Sequence, residues 1–121
     1  FFAPGIPQVY YVGLLAGEND VDLVELTQNG RDINRHNYDL NEIRTEIQKP
    51  VVQRLLKLME FRNSYPAFDG DFSIEDTPEN QLALTWKKDR HQATAQIDLV
   101  TYQTRITYFD DQTQMEQEYP V

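Results

Sequence analysis

Residues 1–13 read FFAPGIPQVYYVG, and within them residues 9–12 are bulky and strand-favouring, with no polar alternation. A strand that is apolar on both faces is typical of parallel sheets, where neighbouring strands and covering helices bury it. No later segment repeats this pattern in a strand–helix–strand arrangement, and the stretch begins in apolar sequence without an initiator Met. We therefore expect a C-terminal piece of a larger protein, although a core strand of a small mixed domain is the alternative.

Helix signals follow this stretch. Asp20 is a candidate N-cap for a short helix that Asn29-Gly30 ends, and Asp39 with Glu42 forms a candidate capping box. Pro50 begins the strongest helix, which residues 63–66 terminate. Its apolar stripe predicts a core-facing side and consists of Val51, Val52, Leu55, Leu56, Leu58, Met59 and Phe61.

The hydrophobic period changes from helical to two after Asp69-Gly70. Apolar residues alternate with polar ones over 82–87 and 93–99, and further strand-like runs cover 104–109 and 115–119. Strands with one apolar face indicate an antiparallel sheet or sandwich. The predicted fold class is therefore α+β, with residues 1–68 as one domain and residues 69–121 as a C-terminal β domain.

Composition excludes several functions. The 121-residue chain carries 11 basic and 20 acidic residues, and a net charge of -9 predicts no nucleic-acid partner. Without cysteine, and with His36 and His91 far apart, the sequence predicts no metal and no cofactor. It also shows no membrane-length apolar run and no signal peptide, so we expect a cytoplasmic protein. Glu75, Asp76 and Glu79 lie in turn-like sequence and are interpreted as solvated.

One segment concentrates groups that can bind a ligand: residues 30–36, GRDINRH. Arg31, Arg35 and His36 are its candidate binding residues, because guanidinium groups suit planar recognition of hydroxyls, carboxylates or phosphate. After a parallel strand, this loop would emerge at the face where barrel active sites form. An Arg–Asp pair that only stabilises a long loop is the alternative interpretation.

The same residues resemble a known family. The stretch PGIPQVYYVG at 4–13 is similar to the eighth barrel strand of the α-amylase superfamily, glycoside hydrolase family 13. GRDINRH, followed by Arg62-Asn63 and by residues 67–70, resembles the sucrose phosphorylase branch specifically. The resemblance covers residues 1–70 well and the β region in position only. It implies the last strand, substrate loop and last helix of a (β/α)8 barrel over 1–68.

This resemblance also implies a retaining glucosyl transfer from sucrose to inorganic phosphate, giving α-glucose 1-phosphate and fructose. An aspartate nucleophile and a glutamic acid, both upstream of this chain, would carry the reaction, so no catalytic residue is expected here. Arg35 resembles the arginine at the base of the glucosyl pocket, paired with an upstream Asp. Arg31 and His36 are weaker candidates for substrate binding.

Two alternatives stay open. Related phosphorylases act on glucosylglycerate, glucosylglycerol or sucrose phosphate, and their discriminating loops lie outside this chain. A non-catalytic β-rich binding module would instead use exposed aromatic residues, for which Tyr102, Tyr108 and Phe109 are the candidates. We also expect the isolated chain to self-associate through the unpaired barrel strand.

Overall fold

The computed structural model describes Phe1–Pro120. The chain forms two compact units, one of Pro7–Lys57 and one of Phe1–Ile6 together with the chain from Leu58 onward. We call the first the helical unit and the second the sheet unit. Within the described residues, no helix has the length and apolar character needed to cross a membrane.

The helical unit contains the short helices α1 (Tyr11–Leu14), α2 (Val21–Thr27) and α3 (Leu40–Glu46), with a 3-10 turn at Gly30–Asn34. Helix α4 (Pro50–Ser64) begins in this unit and continues into the other. Both predicted N-caps are confirmed. Asp20 accepts a hydrogen bond from the Leu23 amide at 2.8 Å, and Asp39 forms a reciprocal capping box with Glu42.

The predicted strand at residues 9–12 is wrong for this structure. Tyr10 has extended backbone angles, but helix α1 begins at Tyr11, where Leu14 N donates to Tyr10 O at 2.8 Å. An isolated strand cannot satisfy its backbone N–H and C=O groups, and no described strand pairs with this segment. A local helical turn satisfies them instead.

Helix α4 spans Pro50 to Ser64, as the Pro50 start signal and the 63–66 stop signal predict. Its predicted apolar stripe is only partly confirmed. Val52 and Phe61 are buried, whereas Val51 and Leu56 are exposed. The periodicity marks a wider apolar face than the described chain covers, so part of that face stays in solvent.

Five strands follow and form one antiparallel meander in the order β1-β2-β3-β4-β5. They are β1 (Asp71–Glu75), β2 (Gln81–Lys88), β3 (His91–Asp98), β4 (Thr104–Asp110) and β5 (Met115–Glu118). The four predicted runs are confirmed, and the antiparallel sheet is a single layer. Strand β1 was not predicted, because its five residues carry only two alternating apolar side chains. Glu75, which the sequence placed in a turn, is the last residue of this strand.

The hydrophobic core lies on one face of this sheet. Register places Trp86 beside Phe72 on one side and Ala93 on the other. The small side chains of Ala93 and Ala95 leave room for the aromatic rings of Phe61 and Phe68, which belong to the same buried cluster. Bulky rings on a sheet with small central residues interdigitate without voids, which is how cores reach native packing density.

The described units divide the chain inside α4, whereas the sequence placed the domain boundary at 68/69. The end of α4 and the 3-10 turn at Pro66–Asp69 pack on the sheet through Phe61, Tyr65 and Phe68. Aromatic side chains therefore tie residues 58–69 to the sheet. The assignment of residues 1–68 and 69–121 to separate evolutionary domains stays a prediction.

Tyr65→Phe is expected to destabilise the sheet unit by about 1 kcal/mol. The Tyr65 hydroxyl donates to Phe109 O at 2.7 Å and lies 3.3 Å from Gln92 O, so the variant leaves a partly buried carbonyl without its donor. Urea unfolding followed by the fluorescence of Trp86, the single tryptophan of the chain, measures this unit. An unchanged midpoint would contradict the contribution of this hydrogen bond.

Candidate functional site

The candidate loop between α2 and α3 is built by side-chain hydrogen bonds. Asn29 caps the 3-10 turn, since its Oδ1 accepts from the Arg31 amide at 3.2 Å. Its Nδ2 donates to Asp32 Oδ1 at 3.3 Å. Asn and Asp favour such local bonds over a continued helix. The turn therefore interrupts the helical path and presents the residues that follow.

Arg31 and Arg35 line one open cleft of about 430 Å³, together with Tyr10, Gly30, Ile33 and Asn34. Arg35 Nη1 lies 3.4 Å from Asp32 Oδ1, and the Arg35 side chain is 50% exposed. An ion pair at this distance with a half-exposed partner contributes little to stability. The pair leaves most of the Arg35 guanidinium donors available, and the cleft can accept an anionic or hydroxyl-rich ligand.

Tyr10 lines this cleft, and Tyr11 follows it in sequence. The rings of Tyr10 and Tyr11 are 4.6 Å apart. Partial desolvation raises the pKa of Tyr11, contact with Tyr10 adds to the rise, and the positive charge of Arg35 opposes it. Sequence reasoning assigned these residues to a buried strand and missed them as neighbours of Arg35. An aromatic pair directly before a polar loop was the available signal.

His36 does not line the arginine cleft. Its Nδ1 lies 3.1 Å from Asp20 Oδ2 and its Nε2 lies 3.2 Å from Glu42 Oε1, while its ring packs edge-on against Tyr38 at 4.6 Å. The hydrogen bond with Asp20 raises the pKa of His36, and the bond with Glu42 raises it further. His36 and its carboxylate partners line a second cleft of about 620 Å³.

The structure thus brings two of the three predicted binding residues together and separates the third. Arg31 and Arg35 share a cleft, whereas His36 lies in another with Asp20 and Glu42. The sequence predicted Asp20 and Glu42 only as helix caps. Their second role was not visible, because 16 residues separate Asp20 from His36. Substrate binding by Arg31, Arg35 and His36 stays a prediction.

The alternative aromatic platform does not form. Tyr108 packs against the core cluster, with its ring 5.5 Å from that of Phe61. Tyr102 lies outside the strands, between β3 and β4, and is 81% exposed. Phe109 follows Tyr108 in β4 and therefore points to the opposite face of the sheet. These three aromatic residues share no surface that could bind a sugar ring.

The part of the chain that is described holds no group of three or more His, Asp or Glu residues placed to bind a metal ion. Cysteine is absent from the sequence. The two nitrogens of His36 point to different carboxylates, so this cluster cannot converge on one ion. What the site offers is hydrogen bonding and positive charge from two arginines.

No protein-family model matches the sequence. Individual proteins do. The chain is 60% identical over 111 residues to the sucrose 6(F)-phosphate phosphorylase of Thermoanaerobacterium thermosaccharolyticum, covering 92% of this chain and 23% of that protein. It is 51% identical over 113 residues to the glucosylglycerol phosphorylase of Marinobacter adhaerens, covering 93% and 24%. The sucrose phosphorylase of Bifidobacterium adolescentis is 51% identical over 94 residues, covering 78% and 19%.

A solved structure agrees with these relatives. The crystal structure of sucrose 6F-phosphate phosphorylase from Thermoanaerobacter thermosaccharolyticum superposes with a TM-score of 0.94 and 57% identity, covering 99% of this chain and 24% of that one. The chain therefore spans about a quarter of the length of the proteins it matches, and it corresponds to their C-terminal part. By sequence and structure together, this chain is a homologue of the C-terminal part of sucrose phosphorylases and of the related phosphorylases above.

Proposed function

We propose that the chain serves as the C-terminal part of a retaining glucosyl transferase that cleaves sucrose with inorganic phosphate, releasing α-glucose 1-phosphate and fructose. The observation that carries this proposal is similarity over most of the chain to enzymes that are each named as phosphorylases. In that enzyme the nucleophilic aspartate and the general acid lie in the portion of the relatives that this chain does not span. The chain alone is expected to be inactive.

Within this enzyme, Arg35 would hold the distal hydroxyls of the glucosyl unit, with Arg31 beside it. The shared open cleft of the two arginines supports this role. Arg35 has one weak local ion-pair partner, Asp32. A carboxylate from another part of the enzyme would supply a second partner for its guanidinium group. A guanidinium paired in this way is desolvated without being left uncompensated, and its planar fork selects one sugar orientation.

We also propose that residues 1–68 form the end of the catalytic barrel. Exposed apolar side chains of the helical unit support this placement. Leu26 is 82% exposed and Leu40 is 71% exposed, while Val12, Leu15 and Val52 are the buried apolar residues of the unit. So much uncovered apolar surface indicates a region that packs against further protein. Self-association of the isolated chain and a cytoplasmic location remain predictions.

A second candidate differs only in the donor. The highest identity among the relatives above belongs to a sucrose 6(F)-phosphate phosphorylase, which favours a phosphorylated sucrose as the alternative donor. The described cleft does not discriminate between sucrose and a phosphorylated sucrose, because Arg31 and Arg35 can bind hydroxyl groups or a phosphate. The fructosyl side of the donor would contact residues outside this chain.

The full-length protein tests both candidates. It would be incubated with phosphate and, in separate reactions, with sucrose, sucrose 6F-phosphate, glucosylglycerol and glucosylglycerate. Proton NMR would then follow the appearance and anomeric configuration of glucose 1-phosphate. We expect the α-anomer from sucrose at the highest kcat/KM. A higher kcat/KM for sucrose 6F-phosphate would favour the second candidate, and no phosphorolysis of any donor would reject the proposed function.

A further inference from the structure

Asp20 makes hydrogen bonds to two residues of the segment that carries Arg31 and Arg35. The Asp20 amide donates to Ile33 O at 2.7 Å, its Oδ1 accepts from the Leu23 amide, and its Oδ2 lies 3.1 Å from His36 Nδ1. One residue therefore caps α2 and binds both Ile33 and His36. These two residues lie on either side of Arg35 in sequence. Asp20 therefore holds the chain before Arg35 through the Ile33 backbone and the chain after it through the His36 side chain.

His36 extends this connection to α3. Its Nε2 lies 3.2 Å from Glu42 Oε1, while Glu42 Oε2 accepts from the Asp39 amide and completes the capping box. Ionised carboxylates only accept hydrogen bonds, and a neutral imidazole donates from one nitrogen alone. Both contacts are satisfied together when the ring is protonated. A neutral ring leaves one acceptor facing another acceptor.

We infer that His36 is a positioning residue which, in its protonated form, joins the N-terminal caps of α2 and α3 and thereby holds Arg35 in place. The inference deepens the proposed function and rests on it, since Arg35 is the group being positioned. His36 lines a different cleft from the two arginines, so the inference assigns it no contact with the substrate. His36 affects the position of Arg35 through the backbone that joins the two residues.

The surroundings of His36 give the direction of its pH dependence. The charged and titratable groups that line its cleft are Glu18, Asp20, Asp22, Tyr38, Glu42, Glu46 and Lys49. The pKa of His36 is raised above its usual value of 6.5, so its stabilisation is complete below that value and is lost as pH rises through the raised one. The bond from the Leu23 amide, and then that with His36, lowers the pKa of Asp20, which keeps its carboxylate ionised in that range.

Three variants of the full-length protein test the inference through the ratio of variant to wild-type kcat/KM across pH. His36→Gln is expected to lower kcat/KM about ten-fold near pH 6 and to approach the wild type as the pH rises through the raised pKa of His36, where the wild type itself loses the connection. Glu42→Gln can donate to a neutral imidazole while still accepting from Asp39 N, so it is expected to exceed the wild type about three-fold at pH values above the raised pKa of His36.

His91→Gln is the matched control. His91 also bonds a carboxylate, with Nε2 2.7 Å from Asp111 Oδ2, but it belongs to the sheet unit, so its ratio is expected to stay near one at every pH. Hydrogen–deuterium exchange of a peptide covering residues 29–36, measured near pH 6, supplies a readout without substrate. We expect faster exchange in His36→Gln and no change in His91→Gln.

Unchanged exchange in His36→Gln would overturn the connection itself. Faster exchange together with a pH-independent activity ratio would overturn its positioning role. If the wild-type protein performs no phosphorolysis at all, the proposed function fails, and the positioning of Arg35 for that reaction fails with it. The exchange result then still decides separately whether His36 joins the two caps.

Discussion

Arg35→Lys in the full-length protein is expected to lower kcat/KM for phosphorolysis roughly a hundred-fold. The guanidinium presents five donors in a rigid plane, whereas the lysine ammonium is a compact point charge that cannot bridge a carboxylate and sugar hydroxyls together. The loss of about two charge-assisted hydrogen bonds, each worth about 1.5 kcal/mol, corresponds to that factor. Steady-state kinetics with sucrose and phosphate measure it.

Arg44→Lys is the control for this experiment. Arg44 lies on α3, and its Nη1 makes a comparable local contact with Asn41 Oδ1 at 3.4 Å, but it does not line the arginine cleft. Its kcat/KM is expected to stay within about two-fold of the wild type, as for other surface substitutions. Thermal unfolding should be unchanged in both variants, because the Arg35 side chain is half exposed and its contact with Asp32 is long, at 3.4 Å. Arg35→Lys kinetics close to those of Arg44→Lys would reject the assignment of Arg35.

Phe61→Ala is expected to destabilise the sheet unit by about 3–5 kcal/mol, the largest stability effect that we predict. Phe61 is 4% exposed. Its ring stacks on Tyr65 at 5.0 Å and on Tyr119 at 4.2 Å, and meets Phe68 edge-on at 5.3 Å. Truncation removes this burial and leaves a cavity among rings whose positions depend on one another. Urea unfolding monitored by Trp86 fluorescence measures the loss.

Leu56→Ala provides the comparison on the same helix. Leu56 is 40% exposed and lies outside the sheet unit, so its truncation is expected to cost less than about 1 kcal/mol. Alanine also has the higher helix propensity, which offsets part of the lost contact. Equal midpoint shifts for the two variants would show that Phe61 is not the centre of the aromatic core.

Local sequence signals predicted most elements of the chain. The Asp20 cap, the Asp39–Glu42 capping box and the Pro50 helix start were all confirmed, because each depends on residues within about one turn of one another. The change from helical to alternating periodicity likewise identified strands β2 to β5. The same periodicity did not identify strand β1, because its two apolar residues, Phe72 and Ile74, are too few to establish a period.

The candidate site was predicted less completely. The sequence identified the segment 30–36 and its two arginines, which the structure places at one cleft. It did not show that His36 lines a different cleft from them, nor that Asp20 binds both Ile33 and His36. No spacing rule predicts a contact between Asp20 and His36, because that contact depends on the tertiary arrangement of the short elements between them.

Sequence alone was thus sufficient for the α+β class, for the helix caps and for the segment that carries the family resemblance, because these depend on near neighbours in the chain. Tertiary structure was needed to show that residues 9–12 pair with no described strand, and that Arg35 and His36, adjacent in sequence, face different clefts. The physical reason is that backbone pairing and side-chain convergence require partners distant in sequence. Which partners are present, and on which side they lie, is decided by packing.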